Sequence, residues 1–352
     1  MYRYIFSFSC LLLFCFLVSP FETTLAVPIL KGTAKNRPQI KTTGFQPTAR
    51  LARSAYSTQI MTLGVRGNIS SVKQKPYTKN YTSAYKSSLS SFFQKGIIRR
   101  ITSKSVMILD AHSGKTIFAK APDNPRQPAS TIKVLTGMIA MKRLRDNEKV
   151  HVSRHAEAMP SSKVYLSTKK QYKANDLINA VLLASANDAS VALAEKIAGS
   201  EPAFAKLMTL HANLWGAKNT ICRTASGLTA RGQQSTARDL AEIFRRAMQD
   251  KEFAQRMKKT RIKTSYGKTL YNHNKALWQV EGAMAGKTGY TNKARQTYVG
   301  QFKRGNDAIV VAIMGSETMW TDIKRLVEYG FKRKKQIKLA QLEFDTKASQ
   351  VQ

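Results

Sequence analysis

Residues 128–141 are Pro128-Ala-Ser-Thr-Ile-Lys-Val-Leu-Thr-Gly-Met-Ile-Ala-Met141, a serine and a lysine at the head of an apolar run around which the rest of the chain is organised. Ser130 and Lys133 are three residues apart, one turn of a helix, so hydroxyl and amine share a face and lie within reach of each other. Val134, Leu135, Met138, Ile139 and Met141 cover most of the circumference, as expected of a helix buried on nearly all sides. A polar pair at the mouth of an apolar helix points to a serine nucleophile with a lysine base. Taken alone, Ser130 is more readily explained as a helix N-cap. Four other SxxK matches, at Ser70, Ser83, Ser167 and Ser265, lie in polar, lysine-rich surroundings of the kind a basic chain produces by chance.

Working outward, Ser105–Asp110 and Thr116–Lys120 flank the turn Ala111–Lys115 and predict a hairpin. Pro122, Pro125 and Pro128 forbid regular structure between it and the helix. After a polar stretch from His151 to Tyr172, helices are expected at 176–184, 190–198, 202–215 and 236–249, the last capped by Ser235 or Thr236. Short strands at 261–265 and 268–271 flank a turn at Tyr266-Gly267. Strands follow at 283–289, 296–302 and 308–314, the last two joined by Lys303–Asp307. A closing helix, about 320–328, is expected to stop at Gly330. If the first hairpin joins the last three strands, the result is an α+β domain: one antiparallel sheet flanked by helices, with a helical subdomain inserted.

Two further motifs accompany Ser130-Thr-Ile-Lys133. Ser185-Ala-Asn187 is the only SxN, at the end of an apolar helix, and Lys287-Thr288-Gly289 is the only KTG, on an expected strand. SxxK, SxN and KTG in this order are the signature of serine penicillin-binding proteins and related β-lactamases. Ser185-Ala-Asn-Asp-Ala189 and Lys287-Thr-Gly-Tyr-Thr291 narrow the likeness. Over about residues 101–335 the chain resembles the D-alanyl-D-alanine carboxypeptidase family, the low-molecular-mass penicillin-binding proteins. The resemblance implies a β-lactamase/transpeptidase-like fold, peptidoglycan stem peptides as substrate, β-lactams as covalent inhibitors and no cofactor.

It also implies roles. Ser130 attacks the penultimate D-Ala carbonyl, and Lys133, which must be neutral despite a usual pKa of about 10.4, takes its proton. Ser185 relays a proton to the leaving amine, and Asn187 holds the substrate amide or Lys133. Lys287 and Thr288 bind the terminal carboxylate. Gly289 lets the strand edge approach the ligand, and the backbone N–H groups of Ser130 and Tyr290 form the oxyanion hole. Departures exist in Asn292-Lys-Ala-Arg295, where relatives are more acidic, and in Glu317, where some carry Arg. The chain also runs only a little past Phe331, whereas many relatives continue into a second domain and an anchor. Members without that domain include DD-endopeptidases, the alternative reading. No glutamate between Asn187 and Lys287 has Asn four residues on, against a fast β-lactamase. A non-catalytic basic wall-binding protein is the alternative of another class.

Charge is the other prominent feature, +37 over 352 residues. Residues 27–100 hold 14 Lys or Arg and no Asp or Glu. Such a surface implies an anionic partner. Arg3, the apolar run Tyr4–Val18 and Thr24-Leu-Ala26 have the layout of a secretory signal peptide, which argues for the cell envelope and against nucleic acid. The expected organisation is a signal at 1–26, a basic linker at 27–98 with short structured patches near Phe92-Phe93, a catalytic domain at 99–335 and a tail at 336–352. The linker is a candidate for adhesion to an anionic envelope polymer. Beyond the signal only Cys222 remains, so no internal disulfide is expected. His151 and His155 are four apart without a third ligand nearby, so no metal is expected.

Overall fold

A computed structural model describes residues 96–350; the expected signal, nearly all of the linker and the Phe92-Phe93 patch lie outside the described residues. Strands β1 (Ser105–Asp110) and β2 (Thr116–Lys120) form the expected hairpin. They join β7 (Ala283–Thr291), β8 (Arg295–Arg304) and β9 (Asp307–Ser316) in one antiparallel sheet of order β2-β1-β9-β8-β7. The link between the two ends of the chain is β1 on β9, with Val106 opposite Ile313 and Ile108 opposite Val311.

Both faces of this sheet are covered, which explains why β9 reads as a continuous apolar run although its strands are antiparallel. Successive side chains alternate between faces. Ile309, Val311 and Ile313 meet Ile323, Leu326 and Val327 of the last helix, α9 (Met319–Ser349). Val310, Ala312 and Met314 face the helical layer instead. That layer is inserted between β2 and β7. It contains α1 (Lys133–Arg143), α2 (Arg154–Glu157), α3 (Ala174–Leu182), α4 (Asn187–Ala198), α5 (Glu201–Leu214), α6 (Ala237–Ala247) and α7 (Lys251–Lys258), whereas the short α8 (Ala276–Gln279), also between β2 and β7 in the chain, packs its Ala276 on the opposite face with Ile309 and Val311. Two small ribbons lie among them, β3 (Lys149–His151) with β4 (Gln171–Lys173), and β5 (Arg261–Lys263) with β6 (Thr269–Tyr271).

Helix α1 is buried from Lys133 through Ala140. Gly137 permits this, because a Cβ there would stand 2.5 Å from Leu182 Cδ2 of α3. Its start differs from expectation. Ser130 lies in a 3₁₀ turn, Ala129–Ile132, that feeds α1. Pro128 has no N–H to give a helix, and its carbonyl is taken by the Thr131 and Thr297 hydroxyls at 2.6 and 3.0 Å. Residues i and i+3 eclipse in a 3₁₀ turn, so Ser130 still stands over Lys133. Thr236 is the cap of α6, accepting from Asp239 N at 3.1 Å.

The expected end of the last helix at Gly330 is incorrect: α9 continues to Ser349 and takes in most of the supposed tail. Gly330 is a packing residue. A Cβ there would lie 2.8 Å from Ile309 Cδ1 and 3.3 Å from Ile108 Cγ2, so its absence lets α9 settle onto the sheet. Gly330→Ala is therefore expected to destabilise, although alanine is the better helix former. Overpacking of this kind costs about 1–3 kcal/mol, to be read as a lowered denaturation midpoint at unchanged m. An unchanged or raised midpoint would show that the helix is free to move off.

Candidate active site

Lys133 is the centre of the arrangement. It is fully buried, and its Nζ lies 2.8 Å from Ser130 Oγ, 2.7 Å from Asn187 Oδ1 and 2.6 Å from the Ser226 carbonyl. Burial, and next the charge of Lys287, hold its pKa well below the usual lysine range; Asp188 and Glu201 oppose this only in part. A neutral amine has two hydrogens and one lone pair. Asn187 Oδ1 and Ser226 O can only accept, so they take both hydrogens. The lone pair is then left for the Ser130 hydroxyl, which is what a general base needs.

The second lysine comes from the sheet. Lys287 on β7 is buried, with Nζ donating to Ser185 Oγ at 2.8 Å and to the Thr288 carbonyl at 3.1 Å. Burial brings its pKa down to about 7. Ser185 sits between α3 and α4 with φ of 59°, a left-handed conformation that costs a non-glycine residue about 1 kcal/mol or more. Two residues on, Asn187 opens α4. Its backbone N–H donates to Ser162 O at 2.7 Å and its Nδ2 to Pro160 O at 2.9 Å, so its Oδ1 is fixed toward Lys133. Thus the 3₁₀ turn with α1, the α3–α4 turn and β7 bring together two hydrogen-bonded groups, Ser130–Lys133–Asn187 and Ser185–Lys287, near enough for the charge of Lys287 to act on Lys133.

The remaining candidates lie on the same strand. Thr288 is partly buried and Tyr290 is exposed, its hydroxyl donating to Asn292 Oδ1 at 3.1 Å. Gly289 also makes a close approach within the chain itself. A Cβ there would stand 2.5 Å from Thr297 Oγ1, 2.7 Å from Ser130 N and 3.0 Å from Ala129 Cβ. The glycine lets β7 close on the turn that carries Ser130. Gly289→Ala should push strand and turn apart, at a cost of about 1–3 kcal/mol. Acylation by a labelled penicillin should slow at least tenfold, and a natural rate would show that the contact has no part in aligning Ser130.

Several contributors have no signature in the motifs. The Ser226 carbonyl belongs to a loop whose Ala225 N–H is held by Glu201 Oε1 at 2.8 Å. Next to it, Gly227 has φ of 79°, and a Cβ would collide with Ala129 O at 2.1 Å. Asp188, inside the Ser-Ala-Asn-Asp-Ala stretch, is fully buried and accepts from the N–H groups of Val164 and Leu166 at 3.0 and 3.1 Å. His273 donates its N–H to Leu183 O at 3.1 Å; burial, then Lys287 and Lys133, depress its pKa to about 4. Glu317 is exposed and binds Thr102 Oγ1 through its N–H at 3.0 Å. Among the described residues no group of three or more His, Cys, Asp or Glu side chains could hold a metal.

An antiparallel sheet flanked by helices, with a serine and two buried lysines at the seam, is the fold of the penicillin-binding and DD-transpeptidase proteins, and the chain is a serine peptidase of that class. The family model for D-alanyl-D-alanine carboxypeptidases matches residues 93–318. The D-alanyl-D-alanine carboxypeptidase DacB2 of Mycobacterium tuberculosis is 35% identical over 236 residues, covering 64% of this chain and 81% of that protein. The Escherichia coli D-alanyl-D-alanine carboxypeptidase DacA is 33% identical over 250 residues, 67% of this chain but only 62% of its own length. Penicillin-binding protein D2 of Listeria monocytogenes, in an ampicillin-bound structure, aligns with a TM-score of 0.60 at 25% identity, covering 66% of this chain and 98% of that one. The chain belongs to the D-alanyl-D-alanine carboxypeptidase family.

Proposed function

We propose that this serine peptidase trims the terminal D-Ala from peptidoglycan stem peptides through an acyl-enzyme on Ser130. The observation that carries the reading is the set of three contacts at Lys133 Nζ, which leaves a neutral amine's lone pair for Ser130 Oγ. In the first step Lys133 takes the Ser130 proton while Oγ bonds to the penultimate D-Ala carbonyl carbon. The N–H groups of Ser130 and Tyr290 receive the oxyanion. As the C–N bond breaks, the proton taken up by Lys133 passes through the Ser185 hydroxyl, which Lys287 contacts at 2.8 Å, to the leaving amine of the terminal D-Ala, and Lys133 returns to its neutral form. Water then attacks the ester with Lys133 again as base, and Ser130 regains its proton as the shortened peptide leaves. Lys287 and Thr288 bind the terminal carboxylate, and Asn187 orients Lys133.

The ampicillin-bound form of the Listeria protein supports β-lactams as ligands of this site, and an acyl-enzyme on Ser130 would make them covalent inhibitors. For the rest of the chain we propose an export signal at 1–26, a basic tether at 27–98 that meets an anionic envelope polymer, and a catalytic domain at 99–335. These place the protein in the cell envelope; among the described residues no helix is long and apolar enough to cross a membrane. The test is product analysis on a pentapeptide stem and on a cross-linked muropeptide dimer. Release of D-Ala from the pentapeptide is expected. Cleavage of the dimer alone would replace this reading by the DD-endopeptidase one.

A further inference from the structure

Beside the Ser130–Asn187 cluster lies a pocket of about 300 Å³, lined by Ser162, Lys163, Ala184, Lys268 and His273 among others. Its lining adjoins the catalytic residues. Ser162 O accepts the Asn187 N–H, Ala184 precedes Ser185, and His273 is near enough to Lys287 and Lys133 to feel both charges. Lys163 and Lys268 are each only partly buried. Lys163 Nζ donates to Glu157 O at 3.1 Å and Lys268 Nζ to Val164 O at 2.8 Å, both backbone carbonyls. Neither lysine has an ion-pair partner among the described residues, which leaves two uncompensated positive charges at one pocket.

The charges are held together by construction. Both ammonium groups approach the ring of Tyr165, at 5.5 and 5.0 Å from its centroid. Each such contact is worth about 0.5–1 kcal/mol at an exposed site. Tyr165 is 70% exposed and has φ of 59°, a conformation rarely adopted by a bulky residue. Asp188 holds it there by accepting from the N–H groups on either side, Val164 and Leu166. The residue next to Asn187 therefore fixes the aromatic ring around which the two lysines gather. A structural role alone would not require an exposed ring in a strained backbone.

We propose that this pocket is a specificity subsite, in which Lys163 and Lys268 bind a carboxylate on the residue immediately preceding D-Ala-D-Ala in the substrate. The inference rests on the proposed D-Ala-D-Ala specificity and deepens it. Two half-exposed cations and one carboxylate favour the acidic peptide about tenfold, a charge-assisted interaction of ordinary strength. Salt weakens the preference, because the pocket is open to solvent.

The test compares kcat/KM for N-acetyl-L-Glu-D-Ala-D-Ala and N-acetyl-L-Gln-D-Ala-D-Ala on the natural protein and on Lys163→Met, Lys268→Met and their double variant. The natural protein should prefer the glutamyl peptide, mainly through KM. The preference should fall in each single variant, vanish in the double one, and return with Lys268→Arg. Labelling by a fluorescent penicillin, which lacks that carboxylate, is measured alongside. Labelling with no preference in the natural protein, or with a preference that survives the double variant, overturns the subsite and leaves the parent reading intact. Absence of labelling in the natural protein overturns the parent reading and the subsite with it.

Discussion

Lys133→Met and Lys133→Arg should each lower kcat/KM on a D-Ala-D-Ala peptide by about 10³-fold, the middle of the range for loss of a general base. The two variants fail for different reasons. Methionine fills the space but has no lone pair. Arginine keeps the nitrogen but stays protonated at any working pH, so it cannot accept the Ser130 proton. Folding should suffer far less than activity. Removing the amine leaves Asn187 Oδ1 and Ser226 O without their 2.7 and 2.6 Å donor, at about 1–3 kcal/mol for each group left unpaired. Against that, a buried amine displaced from its preferred charge state is itself unfavourable, and methionine removes it. Lys133→Met should therefore melt cooperatively near the natural temperature while acylating slowly. Near-natural acylation by folded Lys133→Met would assign the base to another group.

The second large effect concerns Lys287. Burial brings its pKa to about 7 in the free protein, so the amine is charged below that pH and neutral above it. The proposed carboxylate contact needs the charge. In kcat/KM, which reports the free enzyme, activity should fall as pH rises through about 7, while Lys133, needing to be neutral, sets the acid limb. A bound carboxylate favours the ammonium form, so the alkaline loss should appear in KM before kcat. Lys287→Gln should remove the alkaline limb and lower kcat/KM by the cost of truncating a desolvated charge contact. That cost is about 2–5 kcal/mol, roughly 30-fold or more. An alkaline limb that persists in Lys287→Gln would belong to a different group.

The same shift carries a stability consequence of definite sign. The folded pKa of Lys287 lies below the unfolded value of about 10.4, so between the two the unfolded chain binds more protons. Stability should rise with pH from about 7 toward 10 on this account, opposite to the loss of activity. An enzyme that is less active while more stable in this window is the expected cost of burying a functional lysine.

What could be read from the residues, and what could not, follows from where each signal resides. The SxxK turn was legible because Ser130 and Lys133 stand before a continuous apolar helix, and the structure buries that helix from Lys133 to Ala140. The sheet was legible from alternating or continuous apolar strands bounded by turns. Ribbon β3–β4 was not, because three-residue strands such as Lys149–His151 with a single buried Val150 show no periodicity. Helix α7 was missed because only Phe253 and Met257 among its apolar side chains anchor a polar segment, and its start rests on Asp250 accepting from Glu252 and Phe253 N–H. Gly330 misled as a stop signal, since glycine marks both helix ends and close packing, and only the partner Ile309 distinguishes them. The Ser226 carbonyl is the largest omission at the site. A backbone acceptor carries no residue-type signature, yet it accepts from Lys133 Nζ at 2.6 Å.

The most direct test of the proposed chemistry is covalent labelling by a fluorescent penicillin, followed by denaturing gel and peptide mapping, on the natural chain and on Ser130→Ala. The expected result is one label per natural chain on the peptide that contains Ser130, and none on a folded Ser130→Ala protein. A natural chain that takes no label, or a Ser130→Ala variant labelled to the same extent, would contradict an acyl-enzyme on Ser130.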